Sequence, residues 1–284
     1  MNTTEFLPGQ SEALLKALHI LTRDGKLNQD SRRKLKQVNH LFQFIKPLLE
    51  ETQHHNPAFT LVDHGAGKSY LGFILVDLYF KQFAPQASVI GIERRQDLVL
   101  KAEALAKEAA FTQMRFLALN ASDAVCSPEL PSEVEIVTAL HACDTATDDA
   151  IAFGLAKQAK HIVVVPCCQA EVAAALRQSK RPYDDDPLSE LWRRPIHTRE
   201  FGSHLTNTLR CLQLEAHGYQ VTVTELVGWE HALKNELIIA KRKGKPQQKS
   251  ALKLQQMLDR VGLPALADRF FVPADLNKHQ EIKV

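Results

Sequence analysis

From Ser31 to about Glu50 the chain reads SRRKLKQVNHLFQFIKPLLE, with apolar residues at Leu35, Val38, Phe42, Ile45 and Leu49. That spacing puts them on one face of a helix, and such a face must pack against something. The pattern breaks at His54 to Pro57, after which short β-branched runs alternate with helical patterns. The runs predict strands at Phe59–Val62, Ser88–Ile92, Met114–Ala118, Glu135–Leu140 and His161–Pro166. Between them, Leu71, Ile74, Leu75 and Leu78 mark one helix and Leu98, Ala102 and Leu105 a second, while TATDDAIAFGLAKQ opens with threonines suited to capping a third. Alternation of this kind predicts a parallel sheet covered by helices.

Further on, FGSHLTNTLRCLQLEAHG reads as a helix ended by Gly218, and YQVTVTELV and NELIIAKR as two strands with only a short connection. A parallel crossover needs a dozen or more residues, so the closing pair is expected to be antiparallel. The Pro- and charge-rich segment between Gln178 and Glu200 reads as a long irregular loop over one end of the sheet, and Leu252 to Leu266 as a short terminal helix. The expected organisation is a helical extension over residues 1–56, a sheet domain over 57–245 and a helical tail over 246–284.

Composition narrows the partners. A chain of 284 residues, 45% hydrophobic, can bury a sizeable core. Its 35 basic and 33 acidic residues leave a formal charge of +2, so bulk charge argues for neither nucleic acid nor membrane. The five cysteines are an odd number without C-x-x-C spacing, a poor disulfide framework that fits a reducing compartment. The start, MNTTEFLPGQ, lacks a basic region followed by an apolar core, and the run Ile162–Pro166 is far below spanning length. A soluble cytoplasmic protein with no membrane partner is expected.

The segment LVDHGAGKSYLGF, Leu61 to Phe73, carries Gly-Lys-Ser after an apolar run. A triphosphate-binding loop would need another glycine at the position held by Val62, inside the strand, so that reading fails on spacing. What remains is a strand, Asp63, Gly65, Gly67 and a helix: a carboxylate and two glycines that let backbone come close to a ligand. Such a turn suits an adenosine-containing molecule. Glu93, ending the next strand in VIGIERR, can accept hydrogen bonds from both ribose hydroxyls, and Asn120 or Asp123 in LNASDA can read an adenine edge.

This combination, with the antiparallel closing pair, resembles the class I S-adenosylmethionine-dependent methyltransferases over roughly Thr60 to Arg242. The resemblance implies a Rossmann-like α/β fold: a doubly wound, seven-stranded, mostly parallel sheet with a reversed last strand, here with an N-terminal helical extension. It implies S-adenosyl-L-methionine as cofactor, held by Asp63, His64, Gly65, Ala66, Gly67, Glu93, Arg94, Asn120, Asp123 and Leu140. Ser69 stands where many such enzymes have a third glycine, and the Gly-x-Gly-x-x-Gly of dinucleotide oxidoreductases is not matched.

The stretch ALHACDTATDDAIA follows the fourth predicted strand, at the end where ligands bind in open α/β sheets. With VPCCQAE, RKLKQV and ELIIAKR it is similar to a subfamily that includes eukaryotic tRNA 2′-O-methyltransferases and the methyltransferase domain of glutathione S-transferase C-terminal-domain-containing proteins. Methyl transfer asks the protein to position an acceptor and remove its proton. His141 is the candidate catalytic base, since imidazole titrates near neutral pH, and Asp144 can orient it or take the proton itself. The alternative is that His141 packs at the strand end while Asp144 caps the next helix.

No metal site is expected: Cys167 and Cys168 join His141 and Cys143 as suitable donors in kind, but adjacent cysteines reach one tetrahedral ion poorly. Small residues packed against the donor pocket suit them better. His204, Asn207 and Arg210 share a helix face of the solvated or hydrogen-bonded sort, and Trp229 and His231, between the last two strands, can touch an acceptor. The subfamily resemblance and two basic clusters, Arg32, Arg33, Lys34 and Lys36, then Lys241, Arg242, Lys243 and Lys245, point to an RNA acceptor, tRNA or rRNA. Near-balanced total charge keeps a small-molecule or protein acceptor open, and fold alone leaves room for a non-catalytic donor-binding module.

Overall fold

The computed structural model describes residues 6–22, 24–140, 142–166, 169–178, 187–226 and 236–270. Two helices lead in: α1 (Glu12–Ala17), capped by the Ser11 hydroxyl on the Leu14 amide, and α2 (Gln29–His55), capped by Asn28 on the Ser31 amide. The expected face of α2 is the buried one, with Leu35, Ile45 and Leu49 almost wholly out of solvent. Then follow β1 (Thr60–His64), α3 (Tyr70–Leu75), which continues through a π-helical turn at Val76–Phe80 into α4 (Lys81–Phe83), β2 (Ser88–Ile92), α5 (Gln96–Glu108) and β3 (Met114–Leu117). The middle of the chain forms α6 (Ala121–Cys126), β4 (Ile136–Leu140), α7 (Thr145–Ala156), β5 (His161–Val165) and α8 (Glu171–Gln178). Last come α9 (Pro195–Ala216), β6 (Tyr219–Glu225), β7 (Glu236–Arg242), α10 (Gln248–Arg260) and α11 (Ala267–Phe270).

The strands form one seven-stranded sheet in the order β3-β2-β1-β4-β5-β7-β6. All neighbours pair in parallel except β7, which runs antiparallel to both β5 and β6. This is the expected doubly wound, Rossmann-like sheet with a reversed last strand. One face is covered by α1 to α5, with Phe59, Leu61, Val89 and Ile136 beneath them. The other is covered by α6, α7 and the end of α9 over Val62, Ile90, Val137 and Ile162. A satellite cluster joins α8, α9, α10 and α11 through Leu176, Leu209, Leu254 and Phe270.

The terminal helix runs Gln248–Arg260 rather than Leu252 to Leu266, and besides one-residue shifts at strand ends three further features differ from the sequence reading. β1 reaches two residues further, to His64, because Asp63 and His64 pair with Gly91 and Ile92 of β2. The segment read as a loop up to Glu200 is helical from Pro187 to Trp192 and again from Pro195, the first residue of α9. Proline at that position gives up an amide that has no helical partner anyway, so a Pro-rich start does not argue against a helix. The threonines of α7 do not cap it: Asp144 is the N-cap residue without a side-chain cap bond, and Thr147 Oγ1 instead donates to the Ala142 carbonyl.

Candidate active site

Because β1 lies between β2 and β4, the loops after these three strands meet at the carboxyl end of the sheet, the usual ligand end of such folds. The turn after β1 is built on left-handed backbone: Gly65 at φ +68°, Gly67 at φ +58° and Ser69 at φ +51°. Glycine adopts this conformation freely; serine does so only when its surroundings hold it. What holds Ser69 is its amide on the Ala66 carbonyl at 2.7 Å and its hydroxyl on Asp63 Oδ2 at 3.3 Å.

Asp63 is therefore a support under the turn. Its carboxylate is 2% exposed, and Oδ1 accepts from Thr138 Oγ1 of β4 at 3.0 Å, so one side chain ties β1, β4 and the start of α3 together. Burial pushes its pKa up to about 6, against the hydrogen bonds from Thr138, Ser69 and the Gly72 backbone, which favour the charged form. The carboxylate is enclosed by these partners.

Glu93 is placed differently. It is half-buried just beyond β2, with Oε2 accepting the Gly67 amide and Oε1 the Arg95 amide, both at 2.9 Å. The same turn is tied to β2 by the Ala66 amide on the Ile92 carbonyl at 2.9 Å. An ionised carboxylate offers about four lone-pair sites. Two are used among the described residues, which leaves each oxygen one for a further donor. A Cβ on Gly67 would meet no described atom within 4 Å, and one on Gly65 only the Ala142 Cβ at 3.7 Å. The turn therefore presents bare backbone to open space on one side and meets the β4 loop on the other. These features fit the expected donor, a ligand with a vicinal ribose diol and a narrow tail.

His64 lies on the opposite face of β1 from Asp63, with its ring 5.4 Å from that of Phe153. It is 5% exposed, neither ring nitrogen has a partner among the described residues, and burial lowers its pKa to about 4, so the ring is neutral at physiological pH. Ala66 is half-buried in the turn, Arg94 is exposed beside Glu93, and Leu140 is half-buried at the end of β4. Asn120 and Asp123, both exposed, face each other after β3 with Nδ2 to Oδ2 at 3.3 Å.

His141, Cys167, Cys168, Trp229 and His231 lie outside the described residues. Cys143 is exposed at the mouth of the β4 loop. Asp144, next to it, has φ +52° and ψ −122°, an uncommon backbone for a residue with a Cβ. Its Oδ1 accepts the amides of Ala170 at 2.8 Å and Glu171 at 3.1 Å, so it caps the segment entering α8 rather than α7. That bond joins the loops after β4 and β5.

A network missed at the level of sequence secures the same loop from behind. Arg210 of α9, 0% exposed, grips Asp148 of α7 with two bonds, Nε to Oδ1 at 2.7 Å and Nη2 to Oδ2 at 2.8 Å. It also donates to the Asp144 carbonyl at 2.9 Å and to Asn207 Oδ1 at 3.0 Å. Asn207 in turn donates to Glu236 at the start of β7 at 2.7 Å. Asn207 and Arg210 thus belong to a hydrogen-bonded face, while His204 of the same trio is exposed. The signal available was an arginine and an asparagine three positions apart, alternating with Leu205, Leu209 and Leu214 on the buried side of the helix.

Residues 33–175 match a family model described as a methyltransferase domain. The chain is 25% identical over 238 residues to a Drosophila melanogaster glutathione S-transferase C-terminal domain-containing protein homolog, covering 74% of this chain and 36% of the relative. It is 26% identical over 182 residues to the Bos taurus glutathione S-transferase C-terminal domain-containing protein, covering 64% of this chain and 25% of that one. The chain therefore spans about a third or less of the curated relatives it matches. Among solved structures, a SAM-dependent methyltransferase from Aquifex aeolicus superposes with a TM-score of 0.38 at 15% identity, over 64% of this chain and 81% of that one.

Proposed function

The chain belongs to a methyltransferase-domain family, whose methyl donor is S-adenosyl-L-methionine, and on that premise we propose that it methylates RNA with the donor seated on the β1 turn. The observation that carries the donor site is the bond from the Gly67 amide to Glu93: it couples the open glycine turn to a carboxylate with acceptor capacity to spare. In this reading Glu93 takes the ribose hydroxyls, Gly65, Ala66 and Gly67 pass beside the methionine portion, and Asn120 and Asp123 lie at the adenine edge, with His64, Arg94 and Leu140 around them. Asp63 holds the turn in shape from below.

When bound, the donor supplies a methyl carbon made electrophilic by positive sulfur. The chain's own residues then have two tasks: placing the acceptor in line and taking its proton. His141 is the proposed base. Asp144, with one carboxylate oxygen already committed to two amides, is the residue that positions its loop.

The RNA acceptor rests on local charge as well as on the family likeness. Gln53 near the end of α2 meets the carbonyl of Phe83 at the far end of the helix that begins at the donor turn. The last turns of the two helices thus meet, and the first turns of α2 carry exposed Arg32, Arg33, Lys34 and Lys36. Lysine and arginine there neutralise phosphates.

Calorimetry with S-adenosyl-L-methionine on the wild type and on Glu93→Ala tests the donor site. Glu93→Ala is expected to lose roughly tenfold or more in affinity, the worth of a charge-assisted hydrogen bond; equal affinity removes Glu93 from it. Methyl-tritiated donor offered with cellular RNA, protein and metabolite fractions tests the acceptor: label confined to protein or metabolites overturns RNA, and no label in any fraction favours a donor-binding module. His141→Ala is expected to bind donor normally and to lose turnover on the labelled fraction.

A further inference from the structure

The second basic cluster does not flank the donor site. β7 is reversed, so Lys241 pairs with His161 at the start of β5, and Lys241 to Lys245 lie at the amino end of the parallel strands. There the end of α2, the start of β5 and the end of β7 enclose a cleft of about 320 Å³, lined by Glu51, Thr52, His55, Lys160, His161, Lys241, Arg242 and Gly244. Its charge is predominantly positive. Among the described residues Glu51 is the single carboxylate of the lining, and it is occupied by Lys241, whose Nζ lies 2.5 and 2.7 Å from its two oxygens. Arg242 rests on Gln158 through the carbonyl at 3.2 Å and Oε1 at 2.9 Å, and Lys160 is exposed at the rim.

Two polar groups of the lining have no partner among the described residues although they are almost fully buried. They are Thr52 Oγ1, on a residue 1% exposed, and His161 Nδ1, on a residue 2% exposed. Leaving such groups unpaired costs about 1–3 kcal/mol each, so a ligand that pairs them gains what they lack. His161 is held neutral: burial lowers its pKa to about 4, and Lys160, Lys241 and Lys243 lower it too, against Glu51. A neutral imidazole and a hydroxyl can each donate one hydrogen bond. Gly244, at φ +78° with no described atom within 4 Å of a built Cβ, leaves backbone accessible at the edge. The exposed Lys160 and the unpartnered Thr52 hydroxyl and His161 imidazole are donors of the kind an oxyanion with several acceptor atoms takes, while Lys241 and Arg242 are already engaged by Glu51 and Gln158.

We infer that this cleft binds a phosphate group, at the opposite end of the sheet from the donor turn. The phosphate comes either from a nucleic-acid backbone or from a small phosphorylated molecule. The site uses none of the donor-binding residues, so it stands or falls independently of the methyltransferase reading.

The test is a titration of the full chain with inorganic phosphate at constant ionic strength, followed through the imidazole resonances of His161, with chloride as the control ion. A saturable shift with phosphate and none with chloride is expected. Lys160→Gln, a change at an exposed position, should weaken the response roughly tenfold, the scale of one charge-assisted hydrogen bond. Thr52→Val, which keeps the shape and removes the hydroxyl, should weaken it as well. A short single-stranded RNA that shifts the same resonances and is displaced by phosphate identifies the backbone as the source; a phosphate response without an RNA response identifies a small ligand. No saturable shift, or an unchanged response in Lys160→Gln, overturns the proposal. Donor affinity measured on the same samples should be equal in all of them.

Discussion

Two strand-to-helix turns, after β1 and after β4, sit side by side at the carboxyl end of the sheet and solve the same problem by opposite means. The first is local. Two glycines take left-handed backbone without steric cost, and the partners of Ser69 and Glu93 come from the turn itself or the adjoining strand end. The second is held from a distance: Asp144 keeps a positive φ because Ala170 and Glu171 bond its side chain and Arg210 bonds its carbonyl. A turn made by residue type survives small insults, whereas one made by remote contacts fails when a single contact is lost.

The sharpest break of that contrast is Arg210→Met. Removing one partner from a fully buried ion pair leaves Asp148 charged and unpaired, at a cost of roughly 3–5 kcal/mol. Chemical denaturation should show that loss. Pairing the change with Asp148→Leu should restore much of it, since a buried pair replaced by apolar residues of similar volume is often near neutral. The double variant would still lack the bond to the Asp144 carbonyl. Its donor binding should stay close to wild type while turnover stays low, a split that a merely structural Arg210 would not produce.

The same contrast explains what could be read from sequence. Apolar alternation located the strands, and glycine spacing with the acidic ends of β1 and β2 marked the turn after β1 that is proposed to hold the donor, because each signal lies within a few residues of what it builds. The extension of β1 to His64 depends on pairing with Ile92 across the sheet, which no local pattern carries. The burial of Asp63 depends on Thr138, and the grip of Arg210 on Asp148 joins helices far apart in the chain. Asp144 was a candidate read from sequence, but its attachment to the start of α8 depends on β4 and β5 being neighbours.

Acidity sharpens the comparison at the β1 turn. Asp63 rises from its ordinary 3.8 to about 6, so the folded state binds its proton more tightly than the unfolded state does. Its contribution to stability is complete below about pH 4 and is lost as pH rises toward 6. His64 and His161, both lowered from 6.5 to about 4, act in the other sense, and stability grows as pH climbs through the same window because their charged forms belong to the unfolded state. In wild type the aspartate partly cancels the histidines. Asp63→Asn should remove that opposition and steepen the rise by up to about 1.4 kcal/mol per pH unit between about pH 4 and 6. Unfolding free energies at half-unit pH intervals would show it, and an unchanged slope would mean that Asp63 titrates at its ordinary value.

The smallest effect on stability, and the most informative about the site, belongs to Gly67→Ala. The built Cβ meets no described atom, so crowding adds nothing and the cost is the left-handed backbone itself, about 1–2 kcal/mol. The Gly67 amide can keep its bond to Glu93, because alanine retains the donor. A melting temperature lowered by a few degrees together with a large loss of donor affinity would place the new methyl group in space that the ligand needs. If affinity falls only in proportion to stability, the open face of the turn is ordinary solvent, and Glu93 alone would mark where the donor sits. Gly65→Ala provides the control: its Cβ comes 3.7 Å from Ala142, so it probes the junction with the β4 loop rather than the open side.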